Sequence, residues 1–263
     1  MFKISSLFKF LTGCFLFFFV FTSCKEEEKP LSVAEMQINS LQNDHDKWYR
    51  YHKTNIDLSS DFLPLGETGD TIGKKAFLEA IITGEFMVFA RKPEGDREKY
   101  QLIRLREDAD DGISYNIAAD TYTEYRYLQM EGKTFPEFHF KDLNGRSFSS
   151  DELRGKTLVV KTWFIKCKPC IDEMPQLNEL VKEYSDREDV VFLSLSDDPE
   201  EELEEFLSKT EFRYEVIPNS QPFTKDSLGL TMYPTHLIVD GEGKIRKVAH
   251  SAPKMIAFLR KFL

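Results

Sequence analysis

The sequence predicts an α/β protein in two folded parts: a C-terminal unit with a central mixed sheet flanked by helices, preceded by a smaller α+β unit. Three observations carry this. From about residue 131 to the end, strand-like and helix-like runs alternate and close with a hairpin and a helix. Within them, the strand-like run 158–164 passes into a helix-like run, 171–184, through Cys167-Lys168-Pro169-Cys170. The chain's 263 residues also leave room for two cores, at roughly 100–200 residues per domain.

The opening segment stands apart. Residues 1–10 carry Lys3 and Lys9, and residues 11–21 are almost wholly apolar, the order of charged and hydrophobic regions in a secretory signal. The run is shorter than the about 20 apolar residues that a membrane span needs. It closes on Phe21-Thr22-Ser23-Cys24, followed at once by Lys25-Glu26-Glu27-Glu28-Lys29. This resembles a bacterial lipoprotein signal, which implies lipid on Cys24 and a cell-envelope lipoprotein facing the periplasm or carried on the outer-membrane surface. Leu11-Thr12-Gly13-Cys14 is a rival box, but too little apolar chain precedes it. An ordinary secretory signal or an uncleaved anchor is the plainer alternative. Residues 1–24 are therefore assigned to the signal, 25–130 to an accessory domain and 131–263 to the C-terminal domain.

Charge excludes one class of partner. Without Lys3 and Lys9 the mature chain keeps 33 basic against 45 acidic side chains, a net charge of −12. Nucleic-acid binding is not expected, because it relies on basic patches that neutralise phosphates. Membrane attachment would come from lipid on Cys24 rather than from a polybasic surface.

In the first part, residues 25–30 read as a solvated tether and 31–51 as a helix. A turn-rich stretch follows with Pro64, Gly66, Gly69 and Gly73, then a helix over 74–83 that ends at Gly84. Residues 85–91 and 100–106 read as strands paired across the Pro93–Gly95 turn, and 113–130 as an aromatic-rich helix. His45 and His52, seven apart, could share a helix face and are read as surface or partly packed. Tyr122, Tyr125 and Tyr127 are assigned to packing rather than to a binding surface. The region contains no catalytic constellation, so its expected role is accessory: recognition, spacing or dimerisation.

In the second part, 135–146 reads as an alternating strand with an Asn144-Gly145 turn, and 153–156 leads into the strand from Leu158. Strand 190–195, helix 200–209, a short segment 212–217, strands 236–240 and 244–249 and a helix from Pro253 complete the order.

The cysteine count simplifies the chemistry. Cys14 and Cys24 fall in the signal, so Cys167 and Cys170 are the thiols of the folded part. An exported chain with one close pair suits a redox motif better than a stapled scaffold. At a helix start, unpaired backbone N–H groups and the dipole favour negative charge, so Cys167 can ionise and attack. Cys170, one turn on, is close enough to resolve a mixed disulfide.

The residues around this motif carry a resemblance. The run from Lys161 to Pro175 is similar to the active-site segment of the TlpA/ResA-like thioredoxin-fold thiol:disulfide oxidoreductases. Phe135-Pro136-Glu137-Phe138, Asp142-Leu143-Asn144-Gly145, Tyr233-Pro234-Thr235-His236 and Asp240-Gly241-Glu242-Gly243-Lys244-Ile245 match the same family in the same order. The resemblance covers residues 131–263 and implies a thioredoxin-like fold there. It makes Cys167 the exposed attacking thiol and Cys170 the buried resolving thiol, with Glu173 accepting a proton near them. It also makes Pro234 a cis-proline that sets the Tyr233 backbone beside the cysteines, since a cis bond is tolerable chiefly before proline. Trp163, Lys166, Tyr233 and Pro234 would form the substrate-facing rim.

Two positions depart from the pattern. Lys166 stands where many thioredoxins have Trp, and Lys161 where thioredoxin has a buried acid and many relatives have Asn. Lys161 is expected to reach under the active site, pair with Glu173 and tune the cysteine pKa values; the alternative is a lysine snorkelling to the surface.

The resemblance implies no bound cofactor beyond the redox-active Cys167–Cys170 disulfide. Its partners would be substrate protein disulfides or thiols, including those of cytochrome c maturation, with electrons from a membrane dithiol reductase. One CxxC supplies only two of the about four ligands of a structural zinc site, and His236 is read as packing or hydrogen-bonding beside the active site, so no metal is expected. Two alternatives differ in class. A peroxiredoxin-like enzyme would carry Thr where Phe164 stands. A lipoprotein binding module would use the thioredoxin-like part only as structure.

Overall fold

A computed structural model of the chain describes residues 32–263. The signal segment, Cys24 and the tether lie outside the described residues. The single helix expected over 31–51 is two, α1 (Val33–Gln42) and α2 (His45–Asn55). Capping makes the break. Ser32 and Glu35 close a capping box on α1, while Asp44 accepts from the Lys47 N–H and starts α2 afresh.

The turn-rich stretch contains a short strand, β1 (Leu63–Leu65), before α3 (Lys74–Ile82). Strands β2 (Phe86–Glu94) and β3 (Arg97–Arg104) follow, then the long helix α4 (Asp111–Met130). β3 is the middle strand, antiparallel to β2 and parallel to β1. Three residues around a proline are too few to show alternation, so β1 is defined by its partner rather than by its own pattern. Trp48, Phe77, Leu78, Ile81, Met87 and Ile113 are fully buried in the core of this part.

The second part opens with a small antiparallel pair, β4 (His139–Lys141) and β5 (Ser147–Ser149), much shorter than the alternation over 135–146 suggests. Then come β6 (Thr157–Trp163), α5 (Lys168–Asp172), α6 (Met174–Glu183), β7 (Val190–Ser196), α7 (Glu200–Leu207) and β8 (Glu215–Ile217). A π turn at Phe223–Ser227 precedes β9 (Thr235–Val239), β10 (Ile245–Ala249) and α8 (Ala252–Phe262). The sheet order is β10-β9-β6-β7-β8, with β6, β7 and β8 parallel and β9 antiparallel to both its neighbours. This mixed sheet with helices on both faces is a thioredoxin-like fold.

β6 is the middle strand, and every residue of it is buried. Leu158 and Val160 pack in the cluster that includes Tyr127 and Met130 of α4, whereas Val159 packs in the cluster with Leu177 of α6 and Met255 of α8. Side chains alternate along a strand, so Lys161 and Trp163 share the face of Val159. α4 takes part in both cores, Ile113 and Ile117 in the first and Tyr127 and Met130 in the second. The two parts therefore share a helix rather than being strung on a loose linker. One close approach depends on glycine: a Cβ on Gly241 would lie 2.9 Å from the Gly155 Cα.

Candidate active site

β6 delivers the chain to the site. After Trp163 it turns through Phe164–Lys166, closed by the Cys167 N–H donating to the Phe164 carbonyl at 3.0 Å and anchored by the Ile165 N–H donating to Asp198 Oδ2 at 2.7 Å. Cys167 is the N-cap of α5, and Pro169 sits in the first turn, where a missing N–H costs no helical hydrogen bond. Cys167 and Cys170 are joined by a disulfide with their Cα atoms 5.3 Å apart.

The expected exposure of Cys167 is not what the structure shows. Cys167 is only 6% exposed and Cys170 not at all, both in an apolar cluster with Trp163, Met174, Leu203 and Val216. With its sulfur bonded to Cys170, Cys167 is drawn towards that cluster. Trp163 is a second correction: it is fully buried, its Nε1–H donating to Ser194 Oγ at 2.8 Å, so it supports the site from below and cannot meet a substrate at the rim. The parity of β6 decides this, since Trp163 points to the same covered face as Val159 and Lys161.

The helix expected over 171–184 is broken at Glu173, the C-cap of α5 and N-cap of α6, because Pro175 in the next turn has no N–H to continue the ladder. The Glu173 carboxylate is fully engaged. Its Oε2 accepts from Lys161 Nζ at 2.9 Å and from His236 Nε2 at 2.9 Å, and its Oε1 accepts from the Ala252 N–H at 2.8 Å. That last donor is the first residue of α8, where the dipole also favours an anion. Lys161 does not snorkel; it is fully buried, on β6 directly opposite His236 of β9.

The charges follow from this geometry. Burial alone would raise the proton affinity of Glu173, but the His236 hydrogen bond and the charges of His236 and Lys161 outweigh it and hold the carboxyl at about 2. Burial pulls the Lys161 ammonium below its ordinary value while Glu173 opposes that pull. Burial likewise lowers the affinity of His236 for a proton, against the Glu173 hydrogen bond. Glu173 thus sits ionised between the Lys161 ammonium and the His236 ring. His236 Nδ1 is buried with no hydrogen-bond partner among the described residues. In this disulfide state the carboxylate is the counter-charge of Lys161.

On the other side of the disulfide the Tyr233–Pro234 bond is cis, as the resemblance implies. The Tyr233 hydroxyl donates to Asp197 Oδ2 at 2.8 Å, and its ring meets Phe164 edge-on at 5.4 Å. Burial, with Asp197 adding to it, pushes the phenol up to about 12. Thr235 Oγ1 donates to the Met232 carbonyl at 2.7 Å and lies 2.8 Å from the Tyr127 hydroxyl of α4. Lys166 is exposed, and Lys168 is paired with Asp172 at 2.6 Å. Sequence reasoning missed Asp197 and Asp198, and its packing role for Tyr127 is borne out without having disclosed the contact with Thr235. It did not connect His236 to Glu173, although Lys161 and His236 sit opposite each other in the β6–β9 register. Among the described residues no group of three or more His, Cys, Asp or Glu side chains is disposed to hold a metal ion.

Comparison with known proteins fits this geometry. The chain is 30% identical over 137 residues to the thiol-disulfide oxidoreductase ResA of Geobacillus thermodenitrificans, a match spanning 52% of this chain and 78% of that protein. The chain belongs to the ResA-like family of thiol-disulfide oxidoreductases. A second relative of this ResA-like chain is the thioredoxin-like protein YneN of Bacillus subtilis, 28% identical over 130 residues, or 49% of this chain and 76% of YneN. The AhpC/TSA family model matches residues 132–248. Among solved structures, the thioredoxin domain of a thiol-disulfide oxidoreductase from Bacteroides vulgatus is 25% identical, covers 50% of this chain and 96% of that one, and has a TM-score of 0.46.

Proposed function

We propose that this ResA-like protein is an exported, lipid-anchored reductant of protein disulfides, working through Cys167 and Cys170 outside the cytoplasm. The observation that carries the reading is the Cys167–Cys170 disulfide at the start of α5, flanked by the cis-Pro234 loop. In the forward direction the Cys167 thiolate attacks a substrate disulfide; one substrate sulfur leaves as a thiolate and takes up a proton, and Cys167 stays bonded to the other. Cys170 then gives up its proton and attacks Cys167 Sγ. The second substrate thiol is released and the Cys167–Cys170 disulfide forms. Two electrons pass from the dithiol to the substrate, and a partner dithiol, such as a membrane reductase, restores them by the reverse exchange.

The direction is supported by the charges. A strongly oxidising couple needs an unusually stabilised reduced form, and two of the nearby cations are already neutralised: Lys168 by Asp172, Lys161 by Glu173. Lys166 and the Tyr233–Pro234 segment form the substrate-facing rim in this reading, with Lys161 and Glu173 biasing the thiols from below. Substrates would be exported proteins carrying unwanted disulfides, including those of cytochrome c maturation. Insulin reduction by residues 25–263, driven by dithiothreitol, is the test. Activity that disappears in Cys167→Ser supports the proposal, and an inert parent protein would favour a binding module.

A further inference from the structure

The first part of the chain reaches the active-site loop through α4. Tyr127 of α4 is buried, with its hydroxyl 2.8 Å from Thr235 Oγ1, one residue beyond Pro234. Beside it on the helix, Arg126 Nη2 donates to the Gly229 carbonyl at 3.4 Å. Between α4 and the segment Gly229–Met232 lies a hollow of about 100 Å³, and a second hollow of about 330 Å³ shares Tyr122, Arg126 and Met130 with it and continues to Lys133. No carboxylate lines either one. The chain as a whole carries 45 acidic against 35 basic residues, yet the charged side chains lining these hollows are Arg126 and Lys133. Neither forms an ion pair among the described residues. Tyr122 is 50% exposed on one rim and Met232 52% exposed on the other, next to Tyr233.

We infer that α4 supplies the specificity wall of the substrate groove, and that the groove receives a substrate segment with acidic and aromatic or apolar side chains close to the reacting cysteine. The inference rests on the redox reading of Cys167 and names the substrate class of that same site. Its occupant follows from two features. The smaller hollow reaches Met232, two residues before Pro234, beside which a substrate strand would lie, and the two hollows hold Arg126 and Lys133 with no carboxylate in their lining. A lining with two cations and no carboxylate favours an acidic peptide, and Arg126 and Lys133 set where its acids would lie. Tyr122 and Met232 offer rigid aromatic and adaptable apolar contact on the two rims. The first part of the chain thereby acquires a role that its own sequence does not disclose. It lends a helix to the active site of the second.

The test uses the reduced protein, residues 25–263, in single turnover with two cysteine peptides carried as mixed disulfides with thionitrobenzoate. One has Asp, Glu and Phe around its cysteine, the other Lys in place of the acids. Attack by Cys167 on the peptide sulfur releases coloured thionitrobenzoate and bonds the peptide to Cys167 until Cys170 displaces it as a thiol, so the rate of the first step is read directly. The acidic peptide should react roughly fivefold faster at low ionic strength, the scale expected from about one exposed charge pair. That advantage should fall towards parity near ~0.5 M salt as screening sets in, and Arg126→Glu should reverse it. The readout is the ratio of two rates in one protein, so a general loss of activity cannot imitate the effect. Equal rates for both peptides, or a wild-type ratio retained in Arg126→Glu with the unfolding midpoint unchanged, would overturn the groove. A parent protein inert towards both peptides would instead overturn the redox reading beneath it.

Discussion

Replacing Glu173 by Gln removes one charge from a buried trio and keeps the shape. The amide oxygen of the variant can still accept from the Ala252 N–H, but Lys161, fully buried, loses its counter-charge. If the ammonium stays charged, the loss is of the order of 3–5 kcal/mol, as for other broken buried pairs. If it sheds its proton instead, the cost at pH 7 is set by the distance from its ordinary pKa of 10.5, which at ~1.36 kcal/mol per unit is about 4.8 kcal/mol. The second route caps the first. A loss of about 3 kcal/mol is expected at pH 7 once the retained hydrogen bond is allowed for. Because the variant needs a neutral lysine, raising the pH towards 10.5 should shrink the loss, with the ceiling near ~2 kcal/mol at pH 9. Lys161→Met combined with Glu173→Gln removes both charges and should come within ~1 kcal/mol of the parent. Urea unfolding of the oxidised protein at both pH values, followed by the fluorescence of Trp48 and Trp163, measures all three. A single variant that loses less than ~1 kcal/mol, a loss indifferent to pH, or a double variant whose losses simply add would refute the buried pair.

The same carboxylate sets an acid limit. Glu173 is held at about 2 against an ordinary 4.5, so its contribution is complete above pH 4.5 and is lost as the pH falls through 2. It should amount to about 2–3 kcal/mol after allowance for partial solvent access, and Glu173→Gln should lack that segment of the acid-unfolding curve. Cys170→Ser should accumulate a stable mixed disulfide on Cys167 when mixed with oxidised insulin, visible by non-reducing electrophoresis, whereas Cys167→Ser should accumulate none. Tyr127→Phe removes one hydrogen bond from Thr235, which keeps its bond to the Met232 carbonyl. The expected cost is about 0.5–1.5 kcal/mol in urea unfolding, and a loss above ~3 kcal/mol would mean that α4 holds the loop more tightly than this contact explains.

Much of this was legible where the sequence repeats a short physical period. The longer strands of the large sheet announce themselves as β-branched and apolar runs, and the CxxC junction marks where β6 hands over to a helix. The resemblance carried by Lys161 to Pro175 and by Tyr233-Pro234 then supplied the arrangement. What stayed hidden depends on partners distant in sequence. β1 exists because β3 offers it hydrogen bonds, and the end of α4 is placed because Tyr127 finds Thr235, 108 residues away. The burial of Trp163 was within reach, since it follows from the parity that places Val159 and Lys161 on one face, but the position beside the motif suggested a rim residue. Glu173 shows the limit on the chemical side. Its distance from Cys170 along the chain suggests a base, but not that Lys161, His236 and the start of α8 converge on the same carboxylate.

The proposed direction of electron flow is tested most directly by the reduction potential of the Cys167–Cys170 couple, read from its equilibrium with glutathione buffers. A dithiol with two of its neighbouring cations, Lys161 and Lys168, already neutralised should sit near the thioredoxin value of about −270 mV, and well below about −180 mV. A value near about −120 mV, that of a strong exported oxidant, would contradict the account and reverse the reaction proposed for this protein.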